Sequence, residues 1–122
     1  MEAADAIKGL SSKLQCIDES GLNAFLDVYM ICEKALELFL INKGYKVIRG
    51  TVDKSGQMPQ KVMSFCAGPD SPLPSDISHE INIIRSLRNS LVHSSRIEEC
   101  KARGVVYSAN IVIDFVKAVL GE

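Results

Sequence analysis

The chain has 122 residues, of which 47% are hydrophobic and 24% are charged, and its net charge is −1. This length and composition are typical of one folded domain over residues 1–122 and exclude a disordered chain. The near-neutral charge excludes a broadly basic nucleic-acid-binding protein, so any nucleic acid would be bound through a local patch.

The distribution of apolar residues and cysteines excludes further classes. No apolar run approaches the roughly 20 residues that span a bilayer, and the beginning of the chain lacks a signal-peptide pattern. We therefore expect a cytoplasmic protein without membrane contact. The four cysteines are far apart in sequence and only two histidines accompany them, which argues against a closed zinc site. We expect reduced thiols, no metal and no cofactor.

Two helices are predicted first, over residues 3–17 and 22–42. Apolar residues at helical spacing form one face of the first helix: Ile7, Leu10, Leu14 and Ile17. The second helix is longer and ends before Gly44, a residue typical of helix C-termini. Its apolar stripe consists of Leu22, Phe25, Leu26, Tyr29, Leu36 and Leu40. Glu33 falls within that stripe, about 40° around the helix from Tyr29.

Residues 45–76 are predicted to form a long irregular connection, because glycine, proline, serine and lysine accumulate there. Short extended pieces are expected over residues 46–49 and 51–52, and one or two helical turns over residues 59–65. Four basic residues would suit a phosphate backbone: Lys46, Arg49, Lys54 and Lys61. Solvated surface charges explain each of them singly.

The third main helix is predicted from Ser75 to His93, with Ser75 or Asp76 as its N-cap. Its apolar stripe consists of Ile77, Ile81, Ile84, Leu87 and Leu91. Arg88 lies inside this stripe, about 40° around the helix from Ile84.

Glu33 and Arg88 thus place opposite charges within the apolar faces of two helices. Burying either charge alone would be costly, so we predict that the two side chains meet. In a functional interpretation Glu33 orients a catalytic or phosphate-binding Arg88. In the structural interpretations the two form an ordinary ion pair, or each reaches solvent at a helix edge. Glu37, one turn further on, would replace Glu33 if Glu33 points elsewhere.

His93 lies at the end of this helix, roughly 140° around it from Arg88. One straight helix therefore cannot direct both side chains to a single point. The arginine side chain could reach around the helix, the helix could end or bend at Val92–His93, or a second copy could approach across a two-fold axis.

The remaining chain is predicted as a turn and short helix over residues 94–104, followed by a final helix over residues 105–120. The final helix is apolar on most sides, so it is either central to the core or half of an interface. Together the elements predict an all-α fold, a small bundle of four to five helices.

The sequence from Arg88 to His93, R-N-S-L-V-H, resembles the signature of the HEPN domains, an arginine and a histidine separated by four to six residues. The general layout of the whole chain is also HEPN-like. The resemblance implies an all-α domain that often dimerises about this helix. Active members are metal-independent endoribonucleases, whereas inactive members bind nucleotides, RNA or protein. In one branch, toxins paired with nucleotidyltransferase antitoxins, a tyrosine follows two residues after the histidine; here that position is Ser95.

The resemblance implies catalytic roles for Arg88 and His93. A histidine, whose unperturbed pKa is near 6.5, can act as base or acid in RNA cleavage at neutral pH. An arginine can hold the non-bridging phosphate oxygens and stabilise the charge of the transition state. Asn89 and Ser86 would orient His93 or donate to the phosphate. Alternatively, His93 is a helix-end imidazole that interacts with the last carbonyl groups and the helix dipole.

Two functional hypotheses follow. The first is a dimeric, metal-independent endoribonuclease of the toxin, defence or stress type, in which Arg85 and Arg96 add RNA phosphate contacts. The second is a non-catalytic HEPN-like module that dimerises through the Ser75–His93 helix or binds RNA, a nucleotide or a partner protein. An antitoxin or a larger protein is a further possible partner. For Arg85 and Arg96, each taken singly, a solvated surface charge is the simpler explanation.

Overall fold

The computed structural model describes residues 2–17, 22–53, 58–94 and 99–120, with side chains for residues 4–17, 26–53, 58–88 and 104–120. The elements in chain order are α1 (Glu2–Gln15), α2 (Leu22–Asn42), β1 (Lys46–Ile48), β2 (Thr51–Asp53), β3 (Gln60–Lys61), α3 (Val62–Ala67), α4 (Ser75–Ser94) and α5 (Glu99–Leu120). The prediction of a small helical fold is confirmed, but the all-α prediction is wrong in one respect. The connection between α2 and α4 contains a three-stranded antiparallel sheet in the order β1-β2-β3.

Helix α5 is central to the hydrophobic core, because it packs against α1, α2 and α4. Its fully buried side chains follow helical spacing: Val105, Ala109, Val112, Ile113 and Val116. Of the two interpretations of this apolar helix, the structure shows a central position in the core. The prediction of a short helix before it is wrong: α5 begins at Glu99 and continues through Gly104 without a break. Burial of the face that follows Gly104 compensates for the low helix propensity of glycine.

Helix α2 has the predicted bounds, and Leu36 and Leu40 of its predicted stripe are buried, but the rest of the buried face is rotated away from the predicted one. The buried side chains are Val28, Ile31, Cys32, Ala35, Leu36, Phe39 and Leu40, an uninterrupted i, i+3, i+4 pattern. Tyr29 is half-buried at one edge of this face, and Glu33 lies just beyond that edge. Leu26, predicted inside, is exposed. Glu33 is therefore at the edge of the core, where water reaches part of its side chain.

The apolar faces of α1 and α4 match their predictions wherever side chains are described. Ile7, Leu10 and Leu14 are buried on α1, and Ile77, Ile81 and Ile84 are buried on α4. Leu87 is partly buried against the same core. Arg88, the next residue, is half-buried at the margin of this face. The α4 stripe therefore leads directly to the arginine that the sequence singled out.

The connection forms a compact β-hairpin followed by a short helix. Strands β1 and β2 are joined by the two-residue turn Arg49-Gly50, and both residues have positive φ angles, 51° and 75°. This is the φ pattern of a type I′ turn, whose twist matches that of the hairpin strands. The backbone N–H of Val62 donates to the Gly50 carbonyl at 2.9 Å, which fixes the start of α3 beside the turn.

Within the described residues, no helix is long and apolar enough to cross a membrane, and no cluster of three or more His, Cys, Asp or Glu could hold a metal ion. Cys16, Cys32 and Cys66 are free thiols. Burial raises the pKa of both Cys32 and Cys66 to about 12, so these two thiols stay protonated and unreactive at neutral pH.

The two glycines with contrasting backbone positions provide a test of this fold. Gly104 lies exposed inside α5 and an added methyl group would meet no heavy atom within 4 Å, so Gly104→Ala should raise the free energy of unfolding by about 0.5–1 kcal/mol. Gly50→Ala should lower it by about 1 kcal/mol or more, because its φ of 75° is unfavourable for alanine. Urea denaturation measures both. If Gly104→Ala did not stabilise the protein, the continuous helix would be contradicted. If Gly50→Ala stabilised it, the turn would be contradicted.

Candidate anion-binding site

A polar pocket of about 210 Å³ lies where α2, α3 and α4 meet. It is lined by Tyr29, Glu33, Lys61, Ser64, Arg85 and Arg88, and is called the Arg88 pocket below. Two residues come from each region: α2, the β3–α3 junction, and α4. The α2 pair and the α4 pair are spaced by four and three positions, the spacing that places helical residues side by side on one face. Lys61 ends β3 and Ser64 lies in the first turn of α3.

Arg88 packs against Tyr29 within this pocket. The guanidinium carbon lies 5.0 Å from the centre of the tyrosine ring, a cation–π arrangement. Burial raises the pKa of the Tyr29 hydroxyl above its ordinary value of 10.0; Arg88 opposes this rise and Glu33 adds to it. The hydroxyl therefore remains protonated at neutral pH and can donate a hydrogen bond to an anion.

The predicted meeting of Glu33 and Arg88 is only partly correct. Both side chains line the same pocket, but among the described residues they form no ion pair. The aromatic face of Tyr29 takes the place of the carboxylate as the partner of Arg88. Because Glu33 and Arg88 are each half-buried at the edge of the core, neither charge requires a direct partner.

The Glu33 carboxylate lies instead near the β-hairpin turn, together with that of Glu37. A Cβ atom placed on Gly50 would be 3.5 Å from Glu33 Oε1 and 3.6 Å from Glu37 Oε1. Burial raises the pKa of Glu37 above its ordinary value, and the neighbouring Glu33 carboxylate raises it further. The two carboxylates are one helical turn apart, so their repulsion works against the folded state.

The charge of the Arg88 pocket favours an anion. Three cationic side chains, Lys61, Arg85 and Arg88, share a small cavity with one carboxylate. Arg85 and Arg88 are three positions apart on α4, where like charges repel each other. A bound anion would relieve this repulsion, and guanidinium groups suit phosphate oxygens in particular. The pocket therefore has the composition of a phosphate-binding site.

The structure brings together some of the residues predicted from sequence and leaves others apart. Arg88, Arg85 and Glu33 line the pocket, whereas Ser86 is exposed and outside its lining. Asn89 and His93 lie on the helical backbone of α4, but their side chains are outside the described residues, as is the whole of Arg96.

The backbone of α4 bears on the predicted geometry of Arg88 and His93. The helix continues to Ser94, one residue beyond the Val92–His93 position at which the sequence allows an end or a bend. On a straight helix the two Cα positions are separated by about 7.5 Å along the axis and roughly 140° around it. Reaching one phosphate from both positions then requires the length of the arginine side chain, a bend at Val92–His93 or a second copy of the chain.

Tyr29, Lys61 and Ser64 belong to the pocket but were not predicted as site residues. Tyr29 was assigned to the apolar stripe of α2, and Lys61 was noted only as one of several basic residues. Ser64 gave no signal of its own, because a serine in a short helix is uninformative. The signal available in the sequence was the spacing of Lys61 and Ser64, three positions apart where α3 begins.

A larger cavity of about 300 Å³ lies between α1 and α2. Its lining is mainly apolar, with Leu10, Met30 and Ile31, and its charged residues Lys13, Lys34 and Asp27 largely balance one another. No group of polar side chains converges there in the way that the three cations converge in the Arg88 pocket. The Arg88 pocket is therefore the better candidate site, despite its smaller volume.

Comparison of the chain with protein-family models, with curated proteins and with solved structures found no match.

The stacking of Arg88 on Tyr29 can be tested with a pair of substitutions. Tyr29→Phe keeps the aromatic ring, whereas Tyr29→Leu removes it. In double-mutant cycles with Arg88→Ala, we expect Tyr29→Leu to show a coupling energy of about 0.5–1 kcal/mol and Tyr29→Phe a coupling near zero. Urea denaturation supplies the four stabilities of each cycle. Equal coupling for the two substitutions would contradict a stacking role for the ring.

The pair Glu33 and Glu37 predicts a pH-dependent stability. Because the pKa of Glu37 is raised in the folded protein, its ionised form is unfavourable there, and this cost is present at neutral pH. Glu37→Gln should therefore stabilise the protein at neutral pH by about 0.3 kcal/mol, the scale of one like-charge pair. The gain should shrink as the pH falls through the raised pKa and vanish below the ordinary value of 4.5.

Urea denaturation at several pH values measures this difference. Asp114→Asn is the control, because Asp114 is exposed on α5 and has the basic Lys117 one turn away. A gain from Glu37→Gln that persists in acid, or that Asp114→Asn reproduces, would show that it does not come from burial of the Glu37 charge and its repulsion by Glu33.

Proposed function

We propose that this chain is a HEPN-like, metal-independent endoribonuclease in which the Arg88 pocket holds an RNA phosphate. The observation that carries the proposal is the convergence of Lys61, Arg85 and Arg88 on one polar cavity. Arg88, the first residue of the R-N-x-x-x-H sequence, lies in this cavity and not in a purely structural ion pair. Tyr29 and Ser64 add hydroxyl donors to the same space.

The proposed reaction needs no group outside the chain and the RNA. His93 takes the proton of the ribose 2′-OH, and the 2′-oxygen attacks the adjacent phosphorus. Arg88 holds the non-bridging oxygens as negative charge develops on them. The bond to the 5′-oxygen breaks and that oxygen receives a proton from a protonated His93, which leaves a 2′,3′-cyclic phosphate and a 5′-hydroxyl end. Asn89 would orient His93 from one turn earlier on the same face of α4.

The separation of Arg88 and His93 around α4 makes a dimer part of this proposal. A second copy related by a two-fold axis that crosses α4 at right angles, between Arg88 and His93, would place the His93 of one chain near the Arg88 of the other. The shared cleft would then contain two arginines and two histidines. This arrangement supplies the approach that one straight helix does not.

The same pocket supports an alternative function, that of a binding module. Its three cations and the hydroxyl groups of Tyr29 and Ser64 are phosphate-binding groups that need no imidazole to hold an anion. A non-catalytic domain that binds RNA or a nucleotide through the same three cations would need no more than this. The two functions share the pocket and differ in whether His93 takes part.

RNA cleavage in EDTA distinguishes the two functions. We expect the wild-type chain to cut a mixed RNA pool and leave 2′,3′-cyclic phosphate ends. His93→Ala should lower the rate about 100-fold or more, the scale of general acid–base catalysis. Arg88→Ala should lower it by a similar factor, because it removes the group that stabilises the phosphate charge.

Lys117→Ala is the matched control, because it removes an exposed cation from α5, away from the pocket residues, and should keep full activity. Circular dichroism establishes that each variant is folded. If wild type and variants are equally inert while folded, the endoribonuclease proposal fails. Retained binding of an RNA oligonucleotide that Arg88→Ala abolishes would then establish the binding module.

A further inference from the structure

The β-hairpin turn carries an unusual residue. Arg49 has a φ of 51°, in the left-handed region that costs most residues roughly 1–2 kcal/mol. Asparagine or glycine would form the same type I′ turn with less strain. Arg49 is exposed and forms no ion pair with any described residue. A strained residue without a structural partner is a reason to look for a function of its side chain.

The hairpin places Arg49 next to the Arg88 pocket. Lys61, which lines the pocket, pairs with Thr51 across β2 and β3. The adjacent Val62 N–H donates to the carbonyl of Gly50 at 2.9 Å. Arg49 is the residue before Gly50, so the backbone that carries this exposed cation lies beside the start of α3, next to Lys61. The hydrogen bond holds the turn to the start of α3.

The other charges around the turn decide how strong this cationic region is. The carboxylates of Glu33 and Glu37 approach Gly50 from α2, and they oppose an anion there. Lys46 lies at the far end of the hairpin, where it is 4.0 Å from Asp53. Four cations, Arg49 and the three in the pocket, therefore face two carboxylates, and the region keeps a positive excess.

We propose that Arg49 extends the Arg88 pocket into a binding track for a single RNA strand. The pocket holds one phosphate through Lys61, Arg85 and Arg88, and Arg49 contacts a neighbouring phosphate of the same strand. This inference rests on the proposed function, because it requires that the pocket binds RNA. It names a further contact residue, and it explains why a strained arginine occupies the turn.

The test is the salt dependence of RNA binding. The probe is a fluorescently labelled 2′-O-methyl oligouridylate, which has no free hydroxyl for cleavage. The logarithm of the binding constant falls linearly with the logarithm of the salt concentration, with a slope of about −0.7 per phosphate contact in single strands. Arg49→Gly should make this slope shallower by about 0.7, because it removes one contact. Glycine accepts the positive φ, so the hairpin should fold at least as stably.

Two variants complete the experiment. Lys46→Ala removes one cation from the opposite end of the same hairpin and should leave the slope unchanged, although the net charge falls by the same amount. Arg49→Lys keeps a cation at the turn and should keep most of the slope. If wild type binds the probe but Arg49→Gly and Lys46→Ala give the same slope, the track is refuted and the pocket proposal stands. If wild type does not bind the probe at all, both proposals fail.

Discussion

The packing of α5 against α1, α2 and α4 is the constraint on which the rest of this structure depends. The apolar residues of α5 form a face broad enough to meet three helices at once, so its burial supplies the common core of the fold. Each partner must turn its own apolar stripe toward α5. For α2 this fixes the rotation of the helix, and with it the positions of Tyr29 and Glu33 at the edge of the core.

The Arg88 pocket is a consequence of that rotation. With the Val28–Leu40 face of α2 against the core, Tyr29 presents its ring toward α4 and Arg88 lies over it. The stacked arrangement keeps the guanidinium beside Arg85 and Lys61 without pairing it to a carboxylate. The cations therefore remain available to an anion from solution. In a buried ion pair, by contrast, the cation is already paired with a carboxylate.

The β-hairpin and α3 give this pocket its third side. They lie in the long connection between α2 and α4, and long connections in compact domains often carry function. The hydrogen bond from Val62 to Gly50 holds the hairpin turn to the start of α3, so Lys61 is presented from a fixed backbone. A binding group held in a fixed position loses less conformational freedom when a ligand binds, so a fixed Lys61 costs less to order around an anion.

The sequence by itself determined two of the helices and part of the core. The bounds of α2 and α4 and the buried stripes of α1 and α4 follow from helical periodicity, because a stripe of apolar residues must face a core. The sequence left open whether the apolar C-terminal helix is central to the core or half of an interface. It also singled out Arg88, since a charge within such a stripe requires an explanation. Only the tertiary structure decided what surrounds that charge. Tyr29, Lys61 and Ser64 come from segments far apart in the chain, and the burial of α2 against α5 sets which of its edges meets α4. Periodicity fixes the faces of one helix, whereas the contacts between helices depend on how all the faces pack together.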